Sequence, residues 1–298
     1  MKIIAPWNQL QLLASPLFEP LHEKIAQLPA DFFPTLNEFN QLLTQRQPAI
    51  TTHLGEPIRF VAQQLGKLAF ESQYEPRCYL TGEVQSRADN WHDALNALVW
   101  LTFPRSKAAI NARHYFSLKQ NLSAEQLGSQ RGSTRDALTL LDESGVIVPY
   151  ANGDLAKLLV DFQWHELFWR RRADLAQSMG FYLFGHGLYE KALQPYLGFT
   201  GQALLLPVPA EFFSWPLAQR LAHLDELLAQ HLADDTNMTH PLALTPLPLL
   251  GIPGWAAENE AETYYQNKQY FRDKRQKVNA ERMNDSGKIL AKFSDAEK

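Results

Sequence analysis

The chain has 298 residues, 45% of them hydrophobic and 11% aromatic, so burial can offset the entropy of ordering and a wholly disordered chain is excluded. Its 28 Lys and Arg against 32 Asp and Glu leave a formal charge of −4, which offers no overall basic field to a nucleic acid or an anionic membrane surface. Cys78 is the single cysteine, which excludes an intrachain disulfide, a multi-cysteine zinc module and an iron–sulfur cluster, and a reducing cytoplasm is the expected location.

From the N-terminus, Pro6, Trp7 and Asn8 interrupt the opening residues, and nowhere do about 18 uncharged apolar residues follow one another, so neither an export signal nor a membrane span is expected. Prolines at 6, 16, 20, 29, 34, 48 and 57 restrict residues 1–60 to short helices, at 17–28 and 35–46, in a wrapping segment. Asp89 or Asn90 caps a helix whose buried face is Trp91, Ala94, Leu95, Leu98, Val99 and Thr102. Pro104 ends it and can open the next helix, 105–116, because a first-turn proline forfeits no intrahelical hydrogen bond.

Residues 137–141 and 146–148, separated by Asp142-Glu-Ser-Gly145, read as a β-hairpin. Helical spacing returns after Asn152-Gly153, and a further helix is expected from about 173 to Leu193 despite Gly180, Gly185 and Gly187. Residues 203–208 suit a short buried strand, and Ser214-Trp-Pro216 opens an amphipathic helix to about Leu232. The proline-rich, apolar run 240–256 reads as an extended strap across the body, and the stretch from Arg272 as a frayed or solvated tail. The expected fold class is α+β, mainly helical: a single compact domain over 1–275 with one β-hairpin and the Pro-rich strap, followed by a charged tail at 276–298.

Three clusters could carry chemistry. His92 and Asn96 stand one helical turn apart at the border of the apolar face, and Asp93 is rotated about 100° from His92. They serve either as core-edge polar groups bound to nearby backbone or as a general base with its orienting carboxylate. Arg131-Gly-Ser-Thr-Arg135-Asp136 can bring guanidinium forks and backbone N–H groups onto a phosphate or carboxylate, or can be ordinary ion pairing beside a turn. His186 and Glu190, four apart, share one helix side, a spacing that suits surface pairing, a carboxylate-oriented imidazole or two ligands of one metal. The glycines flanking His186 allow something to approach it closely. Walker, Rossmann, GxSxG, HExxH and CxxC signatures are all absent, and Cys78 reads as a packed thiol rather than a nucleophile.

The adjacent His92-Asp93 invites comparison with the HD-type phosphohydrolases, for which His53, His92, Asp93 and Asp161 are the order-compatible set; the residues following Asp93, ALNALVWL, lack that family's continuation. A longer match is carried by Asn90-Trp-His-Asp93, Asn96-Ala-Leu-Val-Trp-Leu101, Phe103-Pro-Arg105 with Lys107 and Asn111, and Arg131-Gly followed by Arg135-Asp-Ala-Leu-Thr-Leu-Leu-Asp-Glu-Ser-Gly145. Phe184-Gly-His186 with Glu190-Lys191, Gly251-Ile-Pro-Gly-Trp255 and Phe271-Arg272 extend it. In these stretches the chain resembles a mostly proteobacterial family, domain of unknown function 3025, up to about residue 275. The resemblance implies a bacterial source and marks the polar motif positions as site candidates, without bringing an activity, cofactor or catalytic residue.

The expectation is therefore a small-molecule-binding enzyme, concretely a hydrolase of a phosphate- or carboxylate-bearing metabolite. His92, Asp93 and His186 would be catalytic; Asn96, Arg131, Arg135, Asp136 and Glu190 would bind substrate. Cofactor and metal stay open, a small anion is the expected partner, and nucleic acid is not. The alternative is a non-catalytic adaptor that presents Tyr264, Tyr265, Tyr270 and Phe271 to a protein partner.

Overall fold

The structure, a computed structural model, describes residues 6–123 and 130–274, and the side chains among these except 121–123 and 130–131. The charged tail expected at 276–298 lies outside the described residues.

The N-terminal segment is punctuated as its prolines demand. It runs through α1 (Gln9–Ala14), a 3₁₀ turn at Pro16–Leu21, α2 (His22–Ile25) and α3 (Leu36–Thr44). Trp7 stacks on Trp91 with ring centroids 5.2 Å apart, which ties this segment to the central helix. Next, β1 (Arg59–Ala62) pairs in parallel with β2 (Glu83–Ser86) on either side of α4 (Tyr74–Thr81).

The spine of the fold is α5 (Trp91–Thr102), whose residues from Ala94 to Thr102 are all buried. A helix buried on every side must be surrounded, and α2, α3, the next helix, α6 (Pro104–Ser123), and the later helix α10 (His186–Ala192) all pack on it. Beyond α6 come α7 (Gln130–Ser144), β3 (Gly145–Tyr150), α8 (Gly153–Val160), α9 (Arg172–Ser178), β4 (Tyr182–Leu183), α10 (His186–Ala192), β5 (Thr200–Pro207), α11 (Leu217–Ala233) and β6 (Thr245–Pro248). The sheet order is β4-β3-β5-β6, with β3 and β5 parallel at the centre and antiparallel strands at both edges. The apolar core is contiguous from Trp7 to Phe271.

The mainly helical α+β class holds, as do the α5–α6 corner at Pro104, the strand near 203–208 and the helix after Pro216. The hairpin does not: 137–144 is the end of α7, and only 145–150 is strand. Ala137, Leu138 and Leu141 are fully buried, and their spacing is that of one helix face. Gly145 makes the abrupt helix-to-strand change possible, since a Cβ there would meet the Leu141 carbonyl oxygen. The long helix expected over 173–193 breaks into α9, β4 and α10, because Tyr182 and Leu183 pair with β3. Within the strap, 245–248 forms β6, and its prolines are tolerated because β6 is an edge strand.

Candidate functional site

Three helix ends meet at one cavity of about 610 Å³, within the range of small-molecule sites. The first turn of α5 contributes His92, Asp93 and Asn96, and is set by Asn90, whose Oδ1 accepts from the Asp93 N–H at 3.1 Å. One face of α7 contributes Arg135, Thr139, Asp142 and Glu143, at the i, i+4, i+7, i+8 spacing of a helical stripe. The first residue of α10 is His186; the N–H groups of Phe184 and Gly185, just before it, both donate to the Gly145 carbonyl, at 3.0 and 2.9 Å. Those bonds clamp the start of α10 against the end of α7.

At the floor of the cavity the Nε2 atoms of His92 and His186 are 3.0 Å apart. Glu143 Oε1 lies 3.4 Å from His186 Nε2 and 3.6 Å from His92 Nε2. The opposite nitrogens face carboxylates too: His92 Nδ1 is 3.2 Å from Glu190 Oε2, and His186 Nδ1 is 3.7 Å from Asp142 Oδ2. His186 is buried, its Nδ1 makes no hydrogen bond, and His92 is a third exposed. The flanking glycines make room for protein rather than ligand. A Cβ on Gly185 would stand 2.5 Å from Ser144 N, and one on Gly187 2.5 Å from Glu143 Oε2.

The surrounding charges are sorted into closed and open ones. Lys107, buried beside Trp100, donates to Asp142 Oδ1 at 2.5 Å. Burial alone would raise the Asp142 carboxyl, but Lys107 and then His186 outweigh it and hold it below the usual carboxylate range. Glu143 is likewise pushed up by burial and drawn further down by His186 and His92. Both oxygens of Asp93 are taken by Arg87, through its backbone N–H, Nε and Nη2. Burial opposes these bonds at Asp93 and loses, so its carboxyl is also lowered. Arg135, by contrast, is exposed at the cavity and has no ion-pair partner among the described residues. Asn96 Nδ2 donates to the Tyr74 hydroxyl at 2.7 Å, while its buried Oδ1 has no partner.

Of the residues singled out in the sequence, His92, Asp93, Asn96, Arg135 and His186 line this one cavity, and Glu190 abuts it through His92. The carboxylate facing His92 is Glu190, not Asp93, because Arg87 occupies Asp93. Asp136 is exposed and outside the lining, turned away from the stripe that bears Arg135; the side chain of Arg131 is outside those described. The HD-type set does not assemble: His53 borders a different cavity and Asp161 pairs with Lys157 and Lys274. Cys78 is buried, and burial pushes its thiol well up, which removes it as a nucleophile. Asp142 and Glu143, read as turn residues, are part of the site. The signal that could have found them is their helical register with Arg135, hidden by taking 137–141 as strand.

Among the described residues no helix is long and apolar enough to cross a membrane. Neither the curated proteins nor the solved structures contain a match to the chain. A family model does match over residues 58–275, which take in every residue of this cavity, and the chain belongs to that family, described as protein of unknown function, DUF3025.

Proposed function

We propose that this cavity is the active site of a hydrolase acting on a small anionic metabolite that bears a phosphate or carboxylate group. The observation that carries the reading is the pair of imidazoles with facing Nε2 atoms, each backed by a carboxylate, on the floor of a cavity that also displays the unpaired guanidinium of Arg135. A carboxylate beside the far ring nitrogen helps to fix the orientation of an imidazole. Arg135 offers a planar fork to the substrate's anionic group.

In the reaction, a water held at the His92–His186–Glu143 cluster passes one proton to that cluster, which returns it to the leaving oxygen, as the water oxygen bonds to phosphorus or to a carbonyl carbon. The bond to the leaving oxygen breaks, and that oxygen takes up a proton, so ester and water become acid and alcohol. Of the aromatics that the adaptor alternative would present, Tyr265, Tyr270 and Phe271 are buried, with the Tyr270 hydroxyl donating to the Phe199 carbonyl, and Tyr264 is half-buried, so they offer that alternative little surface.

The test is a panel of phosphomonoesters, phosphodiesters and anionic carboxylic esters, incubated with the full chain in buffer containing divalent metal salts, with released phosphate or alcohol as readout. Turnover by the wild type that is lost in His92→Ala supports the reading. No turnover across the panel, or equal turnover by His92→Ala, overturns it.

A further inference from the structure

We propose that His92 Nε2, His186 Nε2 and Glu143 Oε1 are the three protein ligands of a divalent first-row transition-metal ion whose remaining positions open into the cavity. The proposal rests on the functional reading above and deepens it by naming what would activate the water.

Geometry is the first argument. The three atoms form a triangle with sides of 3.0, 3.4 and 3.6 Å. A point equidistant from them lies about 1.9 Å from each, and a small displacement out of their plane brings that distance to the 2.0–2.2 Å of zinc–imidazole and zinc–carboxylate bonds. Ligands from one side only, two nitrogens and one oxygen, leave the opposite face for water or substrate. Imidazole nitrogens select zinc-like ions over magnesium or calcium, which take oxygen.

Proton placement is the second. A carboxylate hydrogen-bonded to Nδ1 favours the proton on that nitrogen and leaves Nε2 free to ligate, as Glu190 does for His92 at 3.2 Å, while Asp142 Oδ2 stands 3.7 Å from His186 Nδ1. The His92 and His186 Nε2 atoms then face each other at 3.0 Å, close enough for one ion to accept both. The buried His186 Nδ1, held near Asp142 without forming a hydrogen bond, belongs to the same arrangement.

Charge is the third. Lys107 neutralises Asp142 and Arg87 neutralises Asp93, whereas Glu143 and Glu190 have no Lys or Arg within ion-pair distance among the described residues. A divalent cation held by the cluster would thus meet two carboxylates that no Lys or Arg among the described residues pairs within ion-pair distance.

The experiment uses the full chain, purified without chelator for elemental analysis, then stripped and titrated with Zn²⁺ by calorimetry and with Co²⁺ by visible ligand-field absorption. One equivalent of metal per chain is expected, with imidazole-type Co²⁺ bands. His92→Ala and Glu143→Gln should each weaken binding by at least about 10-fold, and Glu190→Gln, which leaves all three ligands, by roughly 10–100-fold. His186 is buried and its removal risks the fold, so the decisive variant is Glu143→Gln, on a half-exposed side chain, with circular dichroism to check that it folds. Failure of the wild type to bind either ion, or binding that Glu143→Gln and His92→Ala leave unchanged, overturns the site. Hydrolysis that persists undiminished in the metal-free chain would defeat the metal's part in activating the water while keeping the hydrolase reading, with the imidazoles themselves as bases. Stoichiometric metal without turnover would keep the metal site and defeat the hydrolase.

Discussion

Gly187 lies directly against Glu143: a Cβ there would stand 2.5 Å from Glu143 Oε2 and 2.9 Å from the Glu143 carbonyl oxygen. The glycine therefore decides where the carboxylate that faces the two imidazoles can rest. Gly187→Ala should displace that carboxylate and lower turnover on the order of 10²-fold, while costing about 1–3 kcal/mol of stability. Gly185→Ala meets the Ser144 and Glu143 backbone, which cannot swing aside, and should be the less stable of the two. Urea denaturation beside the turnover assay separates them, and equal stability with unchanged turnover would contradict the packing described.

Arg135 should serve ligand binding without serving the fold. It is exposed and unpaired among the described residues, so Arg135→Ala should change stability by no more than about 0.5 kcal/mol. The KM or Kd of an anionic substrate should rise roughly 10–100-fold, with Arg135→Lys intermediate because it keeps the charge but loses the fork. An unchanged KM would remove Arg135 from the binding role.

Asp225 of α11 caps α6 from across the chain, its carboxylate accepting from Arg105 N at 3.1 Å and Ser106 N at 2.9 Å. Both are N–H groups that a helix start leaves without intrahelical partners. Asp225→Ala should cost about 1–3 kcal/mol, visible as a lower urea midpoint with an unchanged slope, and Asp225→Asn less.

Glu83 joins the small sheet to α4, accepting from Arg59 Nη2 at 2.5 Å and from Arg77 Nε. Burial pushes its carboxyl up, but Arg77 and Arg59 together hold it below the ordinary value. A depressed folded-state pKa stabilises above the unfolded value and is lost as pH falls through the folded one. Glu83→Gln should thus be less stable than wild type by up to about 1 kcal/mol at neutral pH, with the gap closing below about pH 4. A gap independent of pH, measured by urea denaturation across that range, would contradict this.

Much of the fold was legible because its signals are local. Asn90 as a cap, Pro104 as both a stop and a start, and the three-and-four spacing between them specify α5 and α6 through interactions within a few residues. The same holds for His186 and Glu190, whose four-residue separation does put both within reach of His92. The segment 137–141 was misread because leucines at short intervals satisfy a strand and a helix face alike; burial of Ala137, Leu138 and Leu141 together decides for the helix. That one assignment carried Asp142 and Glu143 from a supposed turn into the cavity.

By itself the sequence determined a mainly helical α+β chain, its family, a single cysteine with no intrachain disulfide, and a short roster of polar positions worth watching. Which of them meet was decided only by tertiary structure. His92 and His186 are 94 residues apart, and His92 and Glu190 are 98 apart. No local preference encodes such a contact: it arises when α5 is buried on every side and α7 and α10 are clamped at Gly145, so that three helix ends have one place left to converge.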